Sequence, residues 1–210
     1  MVTRTTARRS QQDRTKATTD ALLSAARQLF VGDGYGATSL GAICARAGVT
    51  RGAFYHHFSN KEQIFREVYT AEQKSLAAIV RQAFREQPDP WDGVAAGCKA
   101  LLEASLQPAV RRLTLIEAPA ALDWKAMRDI QSGCKEQLGA GLRIAVEAGC
   151  ISARPLPPLT SLLYGALCES VLDIAQATDG ITALRDTLTE LDQLLAGVAG
   201  RTSPGCAHKD

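Results

Sequence analysis

Between residues 18 and 67 the apolar positions recur at helical spacing. Leu22, Ala25, Ala26, Leu29 and Phe30 form one stripe, which Asp33 and Gly34 bring to an end. Leu40, Ile43, Cys44 and Ala47 form the next, at i, i+3, i+4 and i+7, the mark of a helix with one buried face. Gly48 stops that helix, because glycine reaches the left-handed cap conformation at little steric cost. Val49 puts an apolar residue in the turn. Thr50 is placed to cap a third helix, whose inward side is Phe54 and Phe58. The spacing therefore predicts a helix, a tight turn and a second helix that keeps Arg51, Gly52, Tyr55 and His56 outward, where a recognition helix meets groove edges and phosphates. Ser59 and Glu62 have the spacing of a capping box that opens a fourth helix.

Beyond residue 67 the same periodicity continues. One helical pattern covers 62–87 and is cut by Pro88-Asp89-Pro90; others cover 91–106, 109–118, 124–148, 159–177 and 181–198. Pro108, Pro119, Pro155, Pro157 and Pro158 are expected between these patterns, where a missing amide proton does least damage. No alternating pattern suggests a strand, so the expected fold is all-α. The last pattern has apolar residues at Ile181, Leu184, Leu188, Leu191, Leu195 and Val198, a heptad-like seam. The pattern before it, with Leu163, Ala166, Leu167 and Val171, is apolar on several sides and must be covered on more than one, while Gly165, Ala166 and Ser170 permit close approach.

Charge divides the chain more sharply than its total of +2 suggests. Residues 1–66 carry ten Lys or Arg against four Asp or Glu, and residues 67–210 carry fourteen against eighteen. The basic end is the one suited to a polyanion. Its first residues, with Arg4, Arg8, Arg9, Arg14 and Lys16 among polar neighbours, have too little apolar content to fold alone; they read as a flexible arm, either solvated or set against phosphate or the minor groove. No apolar run reaches membrane-span length and no signal segment is apparent, so a cytoplasmic protein is expected. The six cysteines are scattered without a Cys-x-x-Cys pair, as reduced thiols would be. No nucleophile elbow, P-loop or metal-binding helix is present, and neither catalysis nor a cofactor is expected. The histidines give no exception: His56 and His57 diverge on a helix, His57 lying nearer the core as a hydrogen-bonding residue.

The order and spacing of these features across residues 18–67 closely resemble the N-terminal domain of the TetR family of bacterial transcriptional regulators. The resemblance implies a three-helix DNA-binding domain with a helix-turn-helix and a C-terminal helical domain for effector binding and dimerisation. The corresponding boundaries are a basic arm at 1–17, the DNA domain at 18–66, the effector and dimer domain at 67–198 and a flexible tail at 199–210. Its partners would be a palindromic double-stranded operator, a second copy of the chain and a small-molecule effector whose binding releases the DNA, with no membrane involved. Arg51 is the expected base reader, since its fork donates two bonds to guanine; Gly52 allows close approach, and Tyr55 offers a hydroxyl or a ring face. Thr38, Ser39, Thr50, His56 and Lys61 would position the domain on phosphates. Leu163, Ala166, Ser170, Leu184, Leu188, Leu191 and Leu195 would form the dimer interface. Candidate pocket residues are Trp91, Glu117, Trp124, Gln131, Tyr164, Glu169 and Asp173. Two other readings are a regulator whose cysteine senses oxidation, and a helical ligand carrier or enzyme with a vestigial DNA domain.

Overall fold

The computed structural model of the chain describes the backbone of residues 4–200 and the side chains of residues 12–200. Every regular element among them is helical: α1 (Arg4–Gly32), α2 (Leu40–Ala47), α3 (Arg51–His57), α4 (Lys61–Arg85), α5 (Pro90–Ala104), α6 (Pro108–Val110), a π-helical segment (Arg111–Glu117), α7 (Ala118–Ala121), α8 (Trp124–Glu147), α9 (Leu156–Gln176) and α10 (Gly180–Ala199). The all-α reading holds. The chain falls into two compact units. One runs to Glu72 and takes in Arg112–Met127; the other holds Gln73–Arg111 and the chain from Arg128 on. The division thus lies a few residues beyond position 66, and it gives to the first unit a segment that periodicity alone had grouped with the second.

The first unit is organised around fully buried Leu22, Phe30, Ile43, Phe54, Ile64 and Phe65. Phe30 and Tyr35 both set their rings edge-on against Phe65, with centroids 5.2 and 5.1 Å away, the arrangement the ring quadrupoles favour. Caps fix where the helices start and stop. Ser39 accepts from the Ala42 amide and Thr50 from the Ala53 amide, both at 3.1 Å, while Gly48 takes φ 68° as the C-cap of α2. Each such side-chain cap contributes about 1 kcal/mol. The box at the start of α4 is one residue later than the sequence suggested. Asn60 accepts from the Gln63 amide at 2.8 Å and the Gln63 side chain returns to the Ser59 amide, leaving Glu62 to pair with Arg66. Asparagine caps as well as serine, and Gln63 is better placed than Glu62 to reach back.

The stretch expected to be a flexible arm is instead helical from Arg4. Lys16 and Asp20 pair at 2.6 Å one turn apart, and the surrounding Gln, Arg and Ala are good helix formers, so the pattern of α1 simply extends backwards. Residues 201–210, most of the expected tail and with them Cys206, lie outside the described residues.

In the second unit α10 packs against α5 and α9, and Lys99 of α5 pairs with Asp192 of α10 at 2.7 Å. This corrects the expected dimer seam. Leu163, Leu191 and Leu195 are 4, 7 and 3 % exposed within a single chain, and Leu184, Leu188 and Ser170 are half-buried. A heptad stripe says that one side of a helix is covered, not which chain covers it; here Leu191 and Leu195 are covered within the chain, Leu184, Leu188 and Val198 are half-covered, and Ile181 is exposed. Of the residues assigned to the interface, Ala166 is exposed, as are the large apolar side chains Leu162, Ile181 and Leu194 of the same two helices. Pro157 and Pro158 sit in the first turn of α9 rather than ahead of it, where the amides they lack would have had no intrahelical acceptor.

Candidate nucleic-acid interface and ligand cavity

In α3, Phe54 is fully buried and Phe58, its C-cap, nearly so, and this turns Arg51, Gly52, Tyr55 and His56 to the outside. His57 is half-buried and meets Thr19 of α1, Oγ1 to Nδ1 at 3.0 Å, which ties the recognition helix to the first helix as its position suggested. Arg51 has no hydrogen-bond or ion-pair partner among the described residues. Its guanidinium lies over α2, 3.1 Å from where a Cβ on Gly41 would stand. An uncompensated cation, an exposed Tyr55 hydroxyl and His56 therefore share one surface with the cap hydroxyls of Ser39 and Thr50. Each of those cap oxygens accepts an amide proton, while its own proton has no acceptor among the described residues. Donors without acceptors, held by caps on rigid helices, suit phosphate and base edges.

Two of the expected contacts are placed otherwise. Thr38 is 2 % exposed and its hydroxyl donates to the Gly34 carbonyl at 2.7 Å, so it stabilises the turn before α2 and does not reach outward. Lys61 donates to the carbonyls of Tyr35 and Thr38 at 2.7 and 3.0 Å and lies 4.3 Å above the Tyr35 ring. Its ammonium is spent on the same turn rather than standing free for phosphate. The sequence could not show this, because the carbonyls it meets lie 23 and 26 residues away.

That turn is held from a third direction. Glu117, at the end of the π-helical segment, accepts from the Tyr35 amide at 2.8 Å, and its other oxygen lies 2.7 Å from Arg112 Nε. The pair is an ion contact without hydrogen-bond alignment. Gly34, with φ +88°, lies beneath it, and a Cβ there would clash with the Arg112 guanidinium and stand 2.8 Å from Glu117 Oε1. Glu117, expected in a ligand pocket, is therefore a buried fastening of the DNA-binding unit.

The cavity of the second unit has a volume of about 340 Å³ and lies among α4, α5, α8 and α9. That is within the range of about 300–1,000 Å³ found for small-molecule sites. Val80, Phe84, Val94, Leu101, Leu138 and Leu167 make its wall apolar. Glycines open it: Gly93 is so close to Phe84 that a Cβ would come within 2.9 Å of its carbonyl oxygen, and Cβ atoms on Gly97 and Gly141 would press on Val80 and on Val94 and Phe84. Of the seven pocket residues expected from sequence, Tyr164 alone lines it, with its hydroxyl 3.4 Å from the Gln131 carbonyl. Trp91 is buried away from it, Trp124 is 70 % exposed, and Glu169 and Asp173 are on the surface. The better signal was the mid-helix glycines, which leave space where a helix would otherwise fill it.

Cys98 and Cys134 also line the cavity. Burial pushes the Cys98 thiol up to about 12 and raises those of Cys134 and Cys168, in the Cys134 case with help from the neighbouring Cys168. Thiols held protonated are poor nucleophiles; at Cys168 burial outweighs the lowering by the Tyr164 hydroxyl and the Arg128 charge. Cys98 should resist iodoacetamide at about pH 8, well below its raised value, until the protein is unfolded, as peptide mapping after timed labelling would show. Rapid native labelling would reveal an accessible thiolate.

Among the described residues no helix is long and apolar enough to cross a membrane, and no cluster of His, Cys, Asp and Glu could hold a metal ion. Residues 22–68 match the profile of bacterial regulatory proteins of the tetR family, and residues 91–198 that of the tetracyclin repressor-like C-terminal domain. The transposon Tn10 TetC protein of Escherichia coli is 47 % identical over 70 residues, 33 % of this chain and 36 % of that protein. The HTH-type transcriptional regulator AcrR of Shigella flexneri is 32 % identical over 110 residues, 52 % and 51 % of the two chains. The chain thus spans between about a third and a half of these curated relatives. A crystal structure of a TetR-family transcriptional regulator from Pectobacterium atrosepticum superposes with a TM-score of 0.77 at 29 % identity, covering 89 % of this chain and 96 % of that one.

Proposed function

The chain belongs to the TetR family of bacterial transcriptional regulators, and from that premise we propose that it is a dimeric repressor whose palindromic operator is released when a small molecule fills the cavity of the second unit. The observation that carries the DNA-binding half is the outer face of α3, where Arg51, Tyr55 and His56 are exposed, without hydrogen-bond partners among the described residues and anchored through Phe54 and His57. Arg51 reads a base edge, Gly52 lets the backbone close in, and Ser39, Thr50, Tyr55 and His56 contact phosphates. Lys61 and Thr38 act indirectly, by holding the turn before α2. The second unit supplies the effector site and the dimer contact. That contact is made by α9 and α10, with Leu162 and Ala166, four apart on one exposed face of α9, at its centre.

Release draws on α4. Its Ile64 and Phe65 belong to the core of the first unit, while Val80 and Phe84 line the cavity, so one helix carries residues of both. The distance along it from Lys61 to Arg81 is about 30 Å. Linkage requires that whatever the ligand costs the operator, the operator costs the ligand, typically about 1–3 kcal/mol.

Selection from random duplexes should enrich an inverted repeat whose half-sites are about one helical turn apart. On that operator Arg51→Ala should cost about 1–3 kcal/mol and relax the preference at one base pair of each half-site. Lys61→Ala should lower the stability of the first unit and leave sequence preference intact. Recovery of no enriched sequence, or an Arg51→Ala loss equal on all duplexes, would remove the base-reading role.

A further inference from the structure

The cavity of the second unit has a charge pattern as well as a shape. Its polar side chains are few, and the only ones bearing a full charge are Arg81 and Arg85; no Asp or Glu lines it. The two arginines are one turn apart on α4 and both are exposed, so they stand at the solvent side of a space whose interior is Val80, Phe84, Val94 and Leu138. Neither has an ion-pair or hydrogen-bond partner among the described residues. Like charges four apart on a helix repel, and no ion pair among those residues offsets the repulsion. An anion between them would. The arginine fork suits carboxylate or phosphate oxygens, and an oxygen there would take charge-assisted bonds beside a low-dielectric wall.

We propose that the effector is an amphipathic anion, with an unbranched or singly ringed apolar body in the cavity and a carboxylate or phosphate-bearing head on Arg81 and Arg85. This rests on the reading of the cavity as the effector site, and fixes its chemical class. A space of about 340 Å³ lies at the lower end of the range of about 300–1,000 Å³ found for small-molecule sites, which suits an apolar body of modest size. Gly93, Gly97 and Gly141 define the depth of the space, because side chains there would meet Phe84, Val80 and Val94. The head distinguishes this class from the neutral phenols or cations that an apolar cavity with carboxylates at its rim would take.

The test is calorimetric titration of the full-length protein with four ten-carbon probes: decanoate, decanoyl-CoA, decanol and decyltrimethylammonium. Decanoate or decanoyl-CoA should bind more tightly than decanol, and the cation least well; which anion is favoured separates a free acid from its thioester. In the Arg81→Gln, Arg85→Gln double variant the preferred anion should lose at least about tenfold in affinity while decanol is unchanged. Both positions are exposed, so the variant keeps the fold, which a thermal melt verifies. Gly97→Leu should weaken all the probes together. Equal affinity for decanoate and decanol, or indifference of the double variant, overturns the anion assignment, and so does absence of binding by every probe. A separate gel-shift arm with the selected operator tests the effector reading: an anion that binds through the arginines without releasing DNA would keep the ligand class and refute the release, whereas decanol acting as the releasing ligand would do the reverse.

Discussion

Gly34→Ala should destabilise the first unit by about 2–4 kcal/mol, whereas Gly36→Ala, two residues away, should stay within about 0.5 kcal/mol. At Gly34 the backbone has φ +88°, a conformation that costs an L residue strain before any contact is counted. The added methyl would also meet the Arg112 guanidinium, which would have to swing aside from its ion contact, and Glu117 Oε1, which the Tyr35 amide holds in place through the same carboxylate. At Gly36 a methyl group would find nothing within 4 Å, and φ there is ordinary. The carbonyl of Gly34 also accepts from both the amide and the hydroxyl of Thr38, so a shifted turn would disturb the approach to α2. Urea unfolding followed by circular dichroism gives the comparison directly, and operator affinity should fall with stability for Gly34→Ala only. Coincident midpoints for the two variants would mean that the turn can rearrange without penalty.

Leu191→Asp and Leu162→Asp should fail in different ways. Leu191 is covered within its own chain, so a carboxylate there is buried without a partner, at a cost of several kcal/mol, about 3–5 if it stays charged. The second unit should unfold. Leu162 is 73 % exposed and contributes little to the single chain, so its aspartate should leave the melt almost unchanged while turning the dimer to monomer. Tight operator binding should disappear in both, because two half-sites need two linked readers. Sedimentation velocity together with thermal melts separates the cases. A Leu162→Asp protein that remained dimeric would move the interface away from the exposed face of α9.

The sequence was most informative where local rules decide. Ser39, Gly48 and Thr50 cap as their types and spacing dictate, and the apolar stripes of α2 and α3 find the core because period and burial are linked within a few residues. The outward set Arg51, Gly52, Tyr55 and His56 follows from the same periodicity. Long-range partners were illegible. Lys61, Thr38 and Glu117 looked like ligand-facing polar residues, and each is committed to one turn through atoms whose approach no local pattern reveals. The seam of α10 is legible as a stripe, but that Leu191 and Leu195 within it are covered by their own chain is not, since a row of leucines has no mark of the surface that will cover it. The cavity was missed for a related reason. Its identity lies in what glycines omit and in two arginines that look like ordinary surface charge until the apolar wall beside them is seen.

The π-helical segment has a geometric consequence of its own. Arg112 and Glu117 are five positions apart, and on an α-helix of 3.6 residues per turn they would diverge by about 140° in azimuth. A wide turn closed by i to i+5 bonds brings the fifth residue back above the first, so both side chains address the Gly34 turn. The fastening is therefore a matter of phase. On a regular α-helix two side chains must stand four apart to share a face, and the wide turn lets Arg112 and Glu117 do so at five, so the extra residue in this turn is absorbed without taking either group away from the Gly34 turn.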